Sequence, residues 1–88
     1  MIRHLQFVIK GKVENTGFRL YALWGASECN IKGEAHQHEG KIIVEAEGYP
    51  TDLNRFTEWC KKGPAGSTIE TFEINERPVY QYEDFKIL

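Results

Sequence analysis

The chain has 88 residues, 41% hydrophobic and 27% charged, and a formal net charge of −2. This fits one folded domain over residues 1–88 rather than a disordered chain, and it argues against a nucleic-acid partner, which needs a basic face. No apolar run approaches the ~18 residues that span a bilayer, and the start MIRHLQFVIK is too charged for a signal-peptide core, so a cytoplasmic monomer with no membrane role is expected.

Leu5, Phe7 and Ile9 alternate with polar neighbours, and Val13 keeps their parity, which predicts a strand interrupted near its end by Gly11. From Phe18 the period changes. Phe18, Ala22, Gly25, Ala26 and Cys29 recur along one face of a helix, small enough in its middle to lie close on a sheet. Asn30, which tolerates a left-handed backbone, is the expected stop. Residues 33–37 and 41–48 then read as a hairpin turning at Glu39-Gly40, its second strand rich in β-branched side chains.

Thr51 is the expected N-cap of a second helix, with Asp52 in its first turn. Leu53, Phe56 and Cys60 would form its buried face, and Gly63-Pro64 would end it. Residues 67–74 alternate as a strand that Arg77-Pro78 breaks, and Phe85 to Leu88 read as a short last strand. The order β-α-β-β-α-β plus an extra terminal strand is a ferredoxin-like α/β sandwich of the α+β class, two helices on one face of an antiparallel sheet. In that layout Cys29 and Cys60 fall near the ends of antiparallel helices, so two free buried thiols are expected.

The stretch GKVENTGFR, Gly11 to Arg19, joins the first strand to the first helix. A helix start presents unpaired N–H groups, glycine lets an anion approach them, and Arg19 could add a fork of donors. The same residues also suit an ordinary turn followed by an arginine on a solvated face. Beyond this physics, the stretch resembles the acylphosphatase signature G-x-V-Q-G-V-G-F-R, matching at Gly11, Val13, Gly17, Phe18 and Arg19. The similarity continues through Ala26, Asn30, Gly33, Gly40, Ile42, Gly48, Gly63-Pro64 and the closing Tyr82 to Ile87.

The resemblance implies the same ferredoxin-like fold and hydrolysis of small acyl phosphates with no metal or other cofactor. It places the phosphate, or a phosphate or sulfate stand-in, on residues 14–19: Glu14, Asn15, Thr16, Gly17, Phe18 and Arg19. Arg19 would be the key side chain, and an asparagine on the hairpin would orient the attacking water. This sequence departs from that pattern. Glu14-Asn15-Thr16 replaces Q-G-V, and the hairpin, one residue short of G-[aromatic]-V-R-N-x-x-x-G, has no asparagine. Counting from Gly33 gives Gln37 and counting back from Gly40 gives His36. Gln37 is preferred, because a deletion is absorbed more easily in a turn than in a paired strand. Reduced activity is therefore expected, the alternative being an inactive module that keeps the fold and binds an anion or a partner. His36-x-His38 could supply two metal ligands, and His4 is a third histidine, but no further partner has recognisable spacing, so no metal site is assigned.

Overall fold

The alternation at the start of the chain does form a strand, and the changes of period fall where the elements change. A computed structural model describing residues 1–88 shows β1 (Arg3–Lys12), α1 (Phe18–Cys29), β2 (Lys32–His38), β3 (Lys41–Gly48), α2 (Pro50–Lys62), β4 (Thr68–Arg77) and β5 (Phe85–Ile87). The strands form one five-stranded sheet in the order β4-β1-β3-β2-β5. Neighbours among the first four run antiparallel, while β5 lies parallel to β2, so the complete sheet is mixed.

The core lies between one sheet face and the helices. Phe7 and Ile9 from β1, Ala35 from β2, and Ile42, Val44 and Ala46 from β3 are buried there, as period-two alternation requires. The helix side contributes Phe18, Ala22, Gly25, Ala26 and Cys29 from α1, the set the sequence spacing selects, and Leu53, Phe56 and Cys60 from α2. Asn30 ends α1 with φ 58°, the left-handed stop expected of it.

One middle residue of α1 packs on the other helix. A methyl group at Gly25 would stand 2.3 Å from Trp59 Cδ1, so α2 closes onto α1 only because that position has no side chain. The closure is then locked twice. Trp59 Nε1 donates to the Tyr21 carbonyl at 2.9 Å, and Tyr21 Oη donates to the Trp59 carbonyl at 2.8 Å.

Two details differ from the sequence reading. The second helix begins at Pro50, with Tyr49 as its N-cap, rather than at a Thr51 cap. Proline has no N–H to lose in the first turn and its φ is already helical, so it takes the first position. In β4, Ile69 and Phe72 both pack against the core although three positions separate them. Lys10 pairs with Thr71 and Gly11 with Ile69, a register shift that leaves Glu70 unpaired and reverses the parity of the strand.

Candidate active site

The connection from β1 to α1 is a four-residue turn over residues 14–17. Both of its ends are fixed by burial: Val13 is 1% exposed and Phe18 2%. Between them Asn15 takes φ 58° and Gly17 φ 75°, both left-handed. Asparagine is the residue after glycine that most readily accepts this backbone, which is how the turn survives with Asn15 in a glycine's place. Thr16 Oγ1 donates to the Val13 carbonyl at 2.6 Å and ties the turn across its base.

No side chain caps the start of α1 and no acidic residue stands in its first turn. The first N–H groups of the helix, at the positive end of its dipole, therefore have no side-chain partner, an arrangement that suits an anion. At Gly17 an added Cβ would meet nothing within 4 Å, so the backbone there is approachable from outside. The glycine at the other end of the motif is different. Gly11 has φ 138° and lies at the β1–β4 register shift, where a methyl group would come within 2.2 Å of the Thr68 carbonyl oxygen. Gly11 lies opposite the bulged β4 strand and serves the sheet.

Arg19 is half-buried and its Nη1 donates to the backbone oxygen of Leu88 at 2.9 Å. That oxygen is held in place, because Leu88 N donates in turn to the Ala35 carbonyl at 2.9 Å. The guanidinium is thus steered from α1 toward β5, with donors to spare on its other nitrogens.

Strand register settles which hairpin residue faces the loop. Gln37 pairs with Ile42, which is buried beneath the helices, whereas His36 pairs with Ile43. Gln37 therefore belongs to the helix-side face and His36 to the opposite one. A concavity of about 380 Å³ gathers Asn15, Gly17, Phe18, Arg19 and Gln37, with Val13 and Ile42 at its floor and Leu20 and Ile87 at its rim.

Of the expected loop set, Glu14 and Thr16 do not line this concavity. Thr16 is turned onto Val13. Glu14 reaches the hairpin, where its Oε2 accepts from Gln37 Nε2 at 3.3 Å and its Oε1 would lie 3.0 Å from a methyl group placed on Gly40. The link between Glu14 and Gln37, two positions that depart from the signature, is invisible in the linear sequence because β-pairing creates it. The exposed apolar rim at Leu20 and Ile87 was likewise not read from the sequence, since isolated apolar surface residues are common.

Other groups with chemical potential lie elsewhere. His4 is 5% exposed on the sheet face away from the helices, its Nε2 2.6 Å from Glu45 Oε1 and its Nδ1 3.0 Å from Glu47 Oε2. Glu47 also accepts the backbone N–H groups of Tyr80, Gln81 and Tyr82, which pins residues 80–82 over that face. No group of three or more His, Cys, Asp or Glu side chains is arranged to hold a metal ion. Cys29 and Cys60 are free and buried, and burial pushes both thiols up, away from the thiolate a nucleophile needs. A larger hollow of about 510 Å³, lined by Lys32, Glu47, Tyr49 and Tyr82, lies at the opposite end of β2, but the Glu47 oxygens there already serve the 80–82 backbone.

The acylphosphatase family profile matches residues 5–87. The acylphosphatase of Vibrio vulnificus is 30% identical over 88 residues, covering 99% of this chain and 98% of that protein. The crystal structure of acylphosphatase from Bacillus subtilis superposes with a TM-score of 0.94 over 100% of this chain and 99% of that one, and at 24% identity this likeness speaks to the fold. Full-length HypF in its phosphate- and nucleotide-bound form contains a similar unit, with a TM-score of 0.96 and 31% identity over 100% of this chain but 12% of HypF. With the family profile covering all but the ends of the sequence, the chain belongs to the acylphosphatase family.

Proposed function

We propose that this protein hydrolyses small acyl phosphates in the concavity between the residue 14–17 turn and the hairpin, more slowly than a family member with an unaltered signature. The observation that carries the reading is the convergence of Arg19, the uncapped start of α1 and Gln37 on one hollow. The substrate phosphate is held by the backbone N–H groups of the loop and helix start and by the Arg19 fork. Gln37 orients water toward phosphorus. The water oxygen bonds to phosphorus as the bond from phosphorus to the acyl oxygen breaks. The electron pair leaves on the carboxylate, and the water protons remain with the phosphate as dihydrogen phosphate.

A carboxylate is a good leaving group, so positioning and charge stabilisation suffice, with no cofactor and no covalent intermediate. The lower rate follows from two replacements. Gln37 carries its amide one methylene further out than asparagine would, and misplacement by about 1 Å can cost roughly 100-fold. Glu14 also brings a negative charge close to the anion site. On this reading the protein works as a cytoplasmic monomer on a free small molecule.

Titration of ¹⁵N-labelled protein with inorganic phosphate, beside a benzoyl phosphate hydrolysis assay, tests the proposal. Shifts confined to the amides of residues 15–20, together with turnover, are expected. Binding without turnover would favour the second reading, an anion-binding module that has lost its chemistry, for which the engagement of the Gln37 amide by Glu14 is the specific observation. Neither binding nor turnover would refute both.

A further inference from the structure

We infer that Glu14 is a positioning residue, which holds the Gln37 amide with its oxygen presented to the attacking water. The inference rests on the proposed hydrolytic reading of the site and extends it to a residue with no place in the signature. Glu14 stands at a position where the signature has a neutral glutamine, beside an anion site, where its charge opposes substrate binding. Its side chain leaves the concavity and meets Gln37 at 3.3 Å.

An ionised carboxylate can only accept hydrogen bonds, so the face of the amide turned to Glu14 must be the NH₂ group. The Gln37 oxygen is then the end left over, and it can accept a proton from a water lying over the phosphate. Glutamine has one more rotatable bond than asparagine, so an unrestrained Gln37 would spread its amide over several orientations. Glu14 removes that freedom from a rigid base, because its backbone lies between buried Val13 and left-handed Asn15. The two replacements thus act as a matched pair. The longer amide at 37 is usable because a carboxylate at 14 restrains it, at the cost of weaker anion binding.

This makes a kinetic signature that a purely structural role would not. Glu14→Gln keeps the size of the side chain but can meet the amide with either end and carries no charge. Its kcat for benzoyl phosphate should fall roughly tenfold, within the loss that ~1 Å misplacement brings, while KM stays the same or falls. Gln37→Ala should lower kcat at least as far, and the double variant should be no slower than Gln37→Ala alone, since the two act through one amide. In ¹⁵N-labelled protein the Gln37 side-chain NH₂ signals should shift on Glu14→Gln. An unchanged or higher kcat in Glu14→Gln, losses that multiply in the double variant, or unmoved NH₂ signals would each overturn the role. Turnover by the wild type with Glu14→Gln unaffected removes this inference alone; absence of wild-type turnover removes it together with the proposed reaction.

Discussion

Arg19 Nη1 donates to the backbone oxygen of Leu88 at 2.9 Å, tying the first turn of α1 to the end of the last strand across 69 positions of sequence. The bond spends one guanidinium nitrogen on orientation and leaves the others for a ligand. A lysine has a single ammonium and cannot do both at fixed geometry. Arg19→Lys should therefore lose about 10²- to 10³-fold in kcat/KM for benzoyl phosphate, the range seen when one oxyanion donor is removed. Its urea midpoint should stay close to wild type, because the bond lies at the surface. A lysine variant with near wild-type activity would show that planar, two-site recognition is unnecessary.

The two glycines that frame the motif should fail in different ways. Gly11→Ala forces a methyl group to within 2.2 Å of the Thr68 carbonyl and 2.8 Å of the Glu70 nitrogen, at φ 138°. Strain and overpacking of that kind should destabilise the fold by ~3 kcal/mol or more, seen as a lower urea midpoint. Gly17→Ala meets no neighbour, so only its φ of 75° is penalised, by about 1–2 kcal/mol. Its larger effect should be on the KM for acyl phosphate, since the methyl group would project into the open space beside the proposed anion site.

These glycines also show how far the sequence could be read. The face of α1 was legible because Phe18, Ala22, Gly25, Ala26 and Cys29 obey a period that packing on the sheet preserves. The parity of β4 was not, because the bulge beside Gly11 comes from pairing with β1 and puts Ile69 and Phe72 on the same side. In the candidate site, the loop and Arg19 were singled out by their resemblance to the acylphosphatase signature, and strand register puts Gln37, not His36, on the helix side of the sheet. The role of His4 was hidden for a similar reason. Its partners Glu45 and Glu47 are brought to it only by the antiparallel pairing of β1 with β3, so the sequence offered an isolated histidine instead of a buried ring held between two carboxyl groups.

Glu47 is expected to give the fold an acid-sensitive element. Burial by itself would raise its carboxyl, but the N–H groups of Tyr80, Tyr82 and Gln81, with His4 beside it, bring it below the usual carboxylate value. A carboxylate lowered in the native state contributes stability above its unfolded value, and that contribution is lost as pH falls through the lowered native value. Glu47→Gln should cost roughly 2 kcal/mol near neutrality, the scale of hydrogen bonds to a charged group. It should also flatten the acid limb of the urea midpoint plotted against pH. An acid limb as steep in the variant as in the wild type would assign the sensitivity to other groups.

The most direct measurement is the rate of benzoyl phosphate hydrolysis by the purified wild-type protein beside Arg19→Ala under identical conditions. The proposed site requires turnover in the wild type and its loss by about 10²-fold or more in the variant, with the variant still folded. Equal rates in the two proteins, or none in either, would contradict a reaction carried out by Arg19 at the start of α1.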